Sequence, residues 1–266
     1  MKKSKEPTKA EREYVQEAIE HFQNEQYEDA IDMFSRALEI DPSSEAIYGI
    51  RGESYLNLGD FDHALADFDE LIRLNPEDGF SYGMRGMLYV EAHRPEEAVE
   101  DFLKAVALEP DSSESHYGLG LAHVLLEEYD LSIEDFTRAI QLDGRNDLAF
   151  MKRGVSYMFK GDPERALKDY DKALRLNLGN SQIRICRAIA FRMLGRTEDA
   201  MRELSGLIGL YPELAIAYAY RSLVHRDMGD EAAAEEDTRT ALDLDPDIGW
   251  VFLGETSAKN LISSNG

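Results

Sequence analysis

The sequence predicts an all-α protein built as a linear array of helix pairs, and three registers carry that prediction. Pro42, Pro76, Pro110, Pro212 and Pro246 follow one another at 34, 34, 102 and 34 residues, and 102 is three times 34. Ala30, Ala64, Ala98, Ala166, Ala200 and Ala234 keep the same period, with Ser132 in the vacant slot. Phe34, Phe68, Phe102, Phe136 and Tyr170 form a third register, beside a glycine register at Gly52, Gly86, Gly120 and Gly154. A fixed period of this length marks stacked supersecondary units.

The array divides into seven repeats of 34 residues without insertion or deletion: 11–44, 45–78, 79–112, 113–146, 147–180, 181–214 and 215–248. Each reads as two helices, and the second repeat illustrates the logic. Residues 45–58 place Tyr48, Tyr55 and Leu58 on one helical face. Gly59-Asp60 ends that helix, as a glycine after the last turn does. Residues 62–74 carry a second apolar stripe of Ala64, Leu65, Phe68, Leu71 and Ile72. Asn75-Pro76 stops it, because proline cannot extend a helix and disfavours helical geometry in the residue before it. The small residues mark where two helices approach closely, and the aromatics fill the space beside them. Gly144 and Leu178 replace the proline after repeats four and five, leaving those boundaries less rigidly set.

Residues 1–10 form a basic extension with Lys2, Lys3, Lys5 and Lys9 against Glu6. Residues 249–266 begin like another first helix, and Trp250, Val251, Phe252 and Leu253 are expected to cap the last apolar face. Leu261 and Ile262 remain as candidates for self-association.

Counting each repeat from position 1, position 4 holds Tyr14, Tyr48, Tyr82, His116, Phe150, Arg184 and Tyr218, and position 11 holds His21, Tyr55, Tyr89, His123, Tyr157, Phe191 and His225. With the small and proline registers, this pattern resembles the tetratricopeptide repeat family over residues 11–248. Repeat six is the poorest match. The resemblance implies antiparallel helix pairs stacked into a right-handed superhelical solenoid. It implies a binding scaffold rather than one particular function.

The family usually places an apolar residue at position 7. Here that position is Arg51, Arg85, Arg153, Arg187 and Arg221. Position 23 is Asp67, Asp101, Asp135, Asp169, Glu203 and Asp237. Two such columns predict an ion-pair ladder, since a guanidinium can hold a carboxylate with two hydrogen bonds. Arginines gathered to bind an anion are the alternative.

The charge excludes broad classes of partner. There are 29 Lys and Arg against 53 Asp and Glu, a formal −24, which would repel nucleic acid and anionic membranes over most of the surface. One cysteine excludes a disulfide framework. No stretch approaches the roughly 18 apolar residues of a membrane helix, and no apolar segment follows the basic N-terminus. The expectation is a soluble cytoplasmic protein.

Catalytic and metal chemistry find no local signature. His116 and His123 lie seven apart on one helix face, without the converging ligands that a metal needs, and both occupy aromatic slots. The run Gly118-Leu119-Gly120 falls mid-helix and follows no strand, so it is not a phosphate loop. Cys186 has no base near it in sequence and reads as a packed residue. Neither a catalytic centre, a metal nor a cofactor is expected.

In the family, positions 2, 5, 9, 12 and 13 of the first helix line a concave face that meets ligands. In repeats three to six these positions are mostly apolar and rich in methionine, and methionine suits surfaces that accept varied apolar partners. The candidate binding residues are Phe80, Met87, Val90, Tyr117, Leu121, Leu125, Met151, Val155, Met158, Phe159, Ile185, Ile189 and Met193. Some of them, at positions 9 and 12 above all, could instead pack between neighbouring helices. The family's clamp for acidic chaperone tails needs asparagine at position 6 and lysine at position 2. Position 6 holds no asparagine and position 2 no lysine, so that role is disfavoured. The sequence therefore predicts a non-catalytic protein–protein interaction scaffold or adaptor that takes an apolar or amphipathic peptide or helix. The alternatives are a self-assembling structural protein whose face is filled by another copy, and a regulatory subunit of an enzyme complex.

Overall fold

A computed structural model describes residues 7–252. Among these residues every regular element is helical. Two compact units divide the chain between residues 122 and 123.

The first unit holds α1 (Lys9–Gln23), α2 (Tyr27–Ile40), α3 (Glu45–Asn57), α4 (Phe61–Leu74), α5 (Gly79–Glu91) and α6 (Pro95–Leu108), together with residues 113–122 of α7 (Ser113–Leu125). Each first helix packs on its second helix, α1 on α2, α3 on α4 and α5 on α6, and each second helix packs on the next first helix. Thr8 caps α1: its side chain accepts from the Glu11 amide, while the Glu11 carboxylate accepts from the Thr8 amide. This capping box starts the helix within the basic extension, two residues before the first repeat. Residues 1–6 lie outside the described chain.

The second unit holds the end of α7, then α8 (Tyr129–Leu142), α9 (Asp147–Phe159), α10 (Pro163–Leu176), α11 (Ser181–Met193), α12 (Thr197–Leu210), α13 (Ala215–Asp227) and α14 (Glu231–Leu244). Pairing follows the same rule, α9 on α10, α11 on α12 and α13 on α14. The chain then forms a 3₁₀ helix over Pro246–Val251, which buries Ile248 and Val251 and packs on α13 and α14. The expected cap thus begins as a 3₁₀ turn three residues earlier than 249. Leu253, Leu261 and Ile262 lie outside the described residues.

The registers explain the packing. A Cβ added to Gly154 would lie 2.5 Å from the fully buried Tyr170 ring, so α9 can approach α10 only with no side chain there. In the first unit Phe102 reaches Gly86 in the same way. All seven second helices end at position 30, those of repeats four and five included. The next residue is extended in each case, for example Asn177 at φ −137° and ψ 86°. Proline at position 32 is therefore not needed to set these boundaries.

The arginine ladder forms. Arg51 donates to Asp67 through Nε and Nη2 at 2.9 and 2.6 Å. Arg85 grips Asp101, Arg153 grips Asp169 and Arg221 grips Asp237 through the same two nitrogens. The third nitrogen, Nη1, reaches back 16 residues into the preceding repeat, to Ser35, Asp69, Thr137 and Ser205 respectively. Each guanidinium therefore joins its own helix to two others. Repeat four has Leu119 at position 7, and its acid Asp135 bonds His123 Nδ1 at 2.6 Å instead. His123 is a packed ladder residue, and His116 Nε2 lies 3.2 Å from the Pro110 carbonyl oxygen.

Candidate interaction surface

The first helices carry the candidate surface, and each compact unit has its own part of it. In the first unit Phe80 stands 63% exposed at the start of α5. Met87 and Val90 are half-buried about two and three turns further on, against the cluster of Ala98, Phe102, Leu119 and Ala122. Tyr117 is half-buried and Leu121 is buried. A pocket of about 530 Å³ opens between α1 and α3, lined among others by Arg12, Val15, Ile19 and Ile47. Val15 and Ile19 occupy positions 5 and 9 of repeat one, a signal present in the sequence that attention to repeats three to six passes over.

In the second unit most of the expected residues are interior. Met151 and Val155 are completely buried, and Leu125, Met158, Ile185 and Ile189 nearly so. The physical reason is that consecutive first helices touch, α9 with α11 and α11 with α13, as well as packing on their own partners. Met151 and Val155 present no surface to a ligand in this conformation, and the other four only a small part of theirs. Phe159 is half-buried and stacks on Tyr129, with ring centroids 5.5 Å apart. Met193 is 52% exposed at the end of α11.

Repeats five and six also bury a polar group that the sequence did not single out. Lys152, at position 6 of α9, is only 5% exposed. Burial lowers its ammonium to about 8, while a neighbouring Cys186 thiol is pushed up by burial to about 12. A thiol held so high is not a nucleophile near neutral pH. Among the described residues no group of three or more metal-ligating side chains converges, and no helix is long and apolar enough to cross a membrane.

Comparison with known families agrees with the repeat geometry. Models of the tetratricopeptide repeat match residues 15–79, 84–147 and 148–180. The chain belongs to the tetratricopeptide repeat family. Its fold is the solenoid fold of that family, and no curated protein matches its sequence. Solved structures with the same fold include a tetratricopeptide repeat protein from Parabacteroides merdae, 16% identical over 96% of this chain and 99% of that one, with a TM-score of 0.75. PilW, a type IV pilus biogenesis factor, is 20% identical over 77% of this chain and 95% of its own, with a TM-score of 0.70. YrrB, described as a tetratricopeptide repeat protein with an unusual peptide-binding site, is 22% identical over 71% and 97%, with a TM-score of 0.56. At these identities the likeness is one of fold. As a tetratricopeptide repeat protein, the chain has the architecture of a protein–protein interaction scaffold.

Proposed function

We propose that this tetratricopeptide repeat protein is a non-catalytic adaptor that captures an apolar or amphipathic peptide or helix on its first-helix faces. The carrying observation is that large apolar side chains stay reachable there. Phe80 and Met193 are more than half exposed, with Met87 and Val90 further along the same helix as the first and Phe159 on the neighbouring first helix of the second. An exposed aromatic or methionine flanked by partly covered apolar neighbours is the kind of anchor at which interface energy concentrates. The pocket between α1 and α3 adds a concave apolar recess of the same class. YrrB's described peptide-binding site supports the same reading by analogy of fold. The buried Met151, Val155, Met158, Ile185 and Ile189 then serve to hold the helices that present the anchors.

The test is selection of binders from a library of random peptides displayed on phage, followed by anisotropy titration of the selected peptides. Phe80→Ser and Met193→Ser, made separately, should keep the helical circular dichroism. Each should weaken the peptides selected on its own unit by about tenfold, the loss expected for an interface anchor. Undiminished affinity in both variants would refute the proposal. Light scattering of the purified chain separates capture of a partner from filling by a second copy.

A further inference from the structure

Charge is distributed very unevenly along the chain. Residues 152–202 hold 12 of the 29 basic side chains and only six of the 53 acidic ones. The other 215 residues therefore carry 17 against 47. Within this basic band α10 differs from every other second helix. It has Arg165, Lys168, Lys172 and Arg175 against three acids, whereas each of the other six carries more acids than bases. The four bases are spaced three, four and three residues apart, which places them on one side of a helix. Arg165, Lys168 and Arg175 are exposed and Lys172 is half-buried.

Beside this face a pocket of about 290 Å³ opens between α10 and α11, lined by Asp171, Leu174, Arg175, Leu178, Arg184 and Arg187. Two departures from the repeat pattern meet there. Leu178 stands where most repeats have proline, and it is 81% exposed. Arg184 stands where most repeats have an aromatic ring. That ring normally lies over the ladder guanidinium, as Tyr48 does over Arg51, Phe150 over Arg153 and Tyr218 over Arg221, at 5.7, 5.7 and 5.5 Å. Repeat six lacks this ring, and its Arg187 keeps only Phe191, 5.9 Å from the centroid.

The ladder rung is altered as well. Arg51, Arg85, Arg153 and Arg221 all donate Nε to their acid. In repeat six Arg184 Nε takes one oxygen of Glu203, and Arg187 reaches the other through Nη2 and Asp171 through Nη1. Arg187 Nε is left buried without an acceptor. A buried donor without an acceptor destabilises the folded chain, because it has given up its water without replacing it. Three guanidinia line the pocket; Glu203 accepts from Arg184 and Arg187, and Asp171 accepts from Arg187.

We propose that this pocket and the basic side of α10 bind a short acidic peptide. One carboxylate enters among Arg175, Arg184 and Arg187, an apolar side chain rests on Leu178, and further acids follow Lys168 and Lys172 along the helix. The 14 residues of α10 extend about 21 Å, the length of about six residues of extended peptide. A long nucleic acid or an anionic bilayer would run beyond the band onto strongly acidic surface, where it is repelled. A short peptide stays within it. This surface is not the first-helix face, so either proposal can fail alone.

The experiment titrates the full chain with a fluorescently labelled peptide of alternating Glu and Leu, about six to eight residues long to match the helix. A peptide alternating Gln and Leu serves as the neutral control. The Glu–Leu peptide is expected to bind and to weaken as salt is raised. Arg175→Glu should lower its affinity at least about tenfold, and Leu178→Ser severalfold. Both substitutions lie on exposed side chains, and circular dichroism checks that helicity is kept. No saturable binding below about 1 mM, equal binding of the Gln–Leu peptide, or an unchanged affinity in Arg175→Glu would each overturn the proposal. So would tighter binding of phosphatidylserine vesicles or of a single-stranded DNA oligomer that Arg175→Glu abolishes.

Discussion

The Arg153–Asp169 rung offers a quantitative test of what the ladder does. Arg153 donates Nε and Nη2 to Asp169 at 2.8 and 2.7 Å and Nη1 to Thr137 at 2.9 Å. The two side chains are only 16% and 8% exposed, so water cannot easily replace a lost partner. Asp169→Leu strands a buried guanidinium and Arg153→Met strands a buried carboxylate, and each should cost about 3 kcal/mol. The double variant removes both charges and refills the space with apolar atoms, and should cost about 1 kcal/mol or less. Independent effects would instead sum to about 6 kcal/mol. Because repeat arrays open piecewise, the readout is amide hydrogen exchange within α9 and α10. A double variant that opens as readily as the two singles combined would refute the coupling. An Asp169→Leu variant that costs less than about 0.5 kcal/mol would show that the rung behaves as a surface pair.

Two further predictions follow from backbone and charge. Position 15 is left-handed in all seven repeats, with glycine at Gly59, Gly161, Gly195 and Gly229 but Glu25, His93 and Glu127 at φ 59°, 55° and 63° in the others. Glu127→Gly should therefore stabilise the chain by about 1 kcal/mol and Gly161→Ala destabilise it by a similar amount. Space is not the cause, since nothing lies within 4 Å of an added Cβ at Gly161; equal denaturation midpoints would refute the strain. Burial lowers Lys152 to about 8, below its unfolded value, so the folded chain loses this proton first and the penalty of burying the ammonium fades as pH rises. The stability advantage of Lys152→Met over the natural chain should shrink by about 1 kcal/mol between pH 7 and 9. Cys186, pushed up to about 12, acts in the opposite direction once the unfolded thiol ionises, so the comparison is repeated with Cys186→Ser in both chains. A gap that does not change with pH would contradict the buried ammonium.

The helix pairs and the ladder could be read from the sequence because each is written once per repeat. One arginine at position 7 says little, but five of them facing six acids say a great deal. Repeat four escaped that logic. Leu119 broke the arginine column, and His123, counted among the aromatic slots, turned out to bond the orphaned Asp135. The candidate surface was legible as apolar but not as accessible. The period of one helix identifies an apolar face, yet Met151 and Val155 vanish into the interior because α9 also meets α11, which no single-helix pattern contains. Lys152 was hidden for the same reason, since only packing decides whether a lysine between apolar neighbours is covered. The basic band needed no structure, as a running charge count along the chain reveals it. That Leu178 and Arg184 converge on one pocket did require one.

The two-handed reach of the ladder arginines has a consequence for how such a chain changes length. Every guanidinium looks 16 residues back for a hydroxyl or a carboxylate and 16 residues forward for an acid. The backward partners Thr137, Asp171 and Ser205 are chemically interchangeable in that role. If residues 181–214 were excised, Arg221 would meet Asp171 where it now meets Ser205, and its forward grip on Asp237 would be untouched. The coupling acts as a standard fitting: any repeat can follow any other, and the array can grow or shrink by whole modules without redesign of the joints.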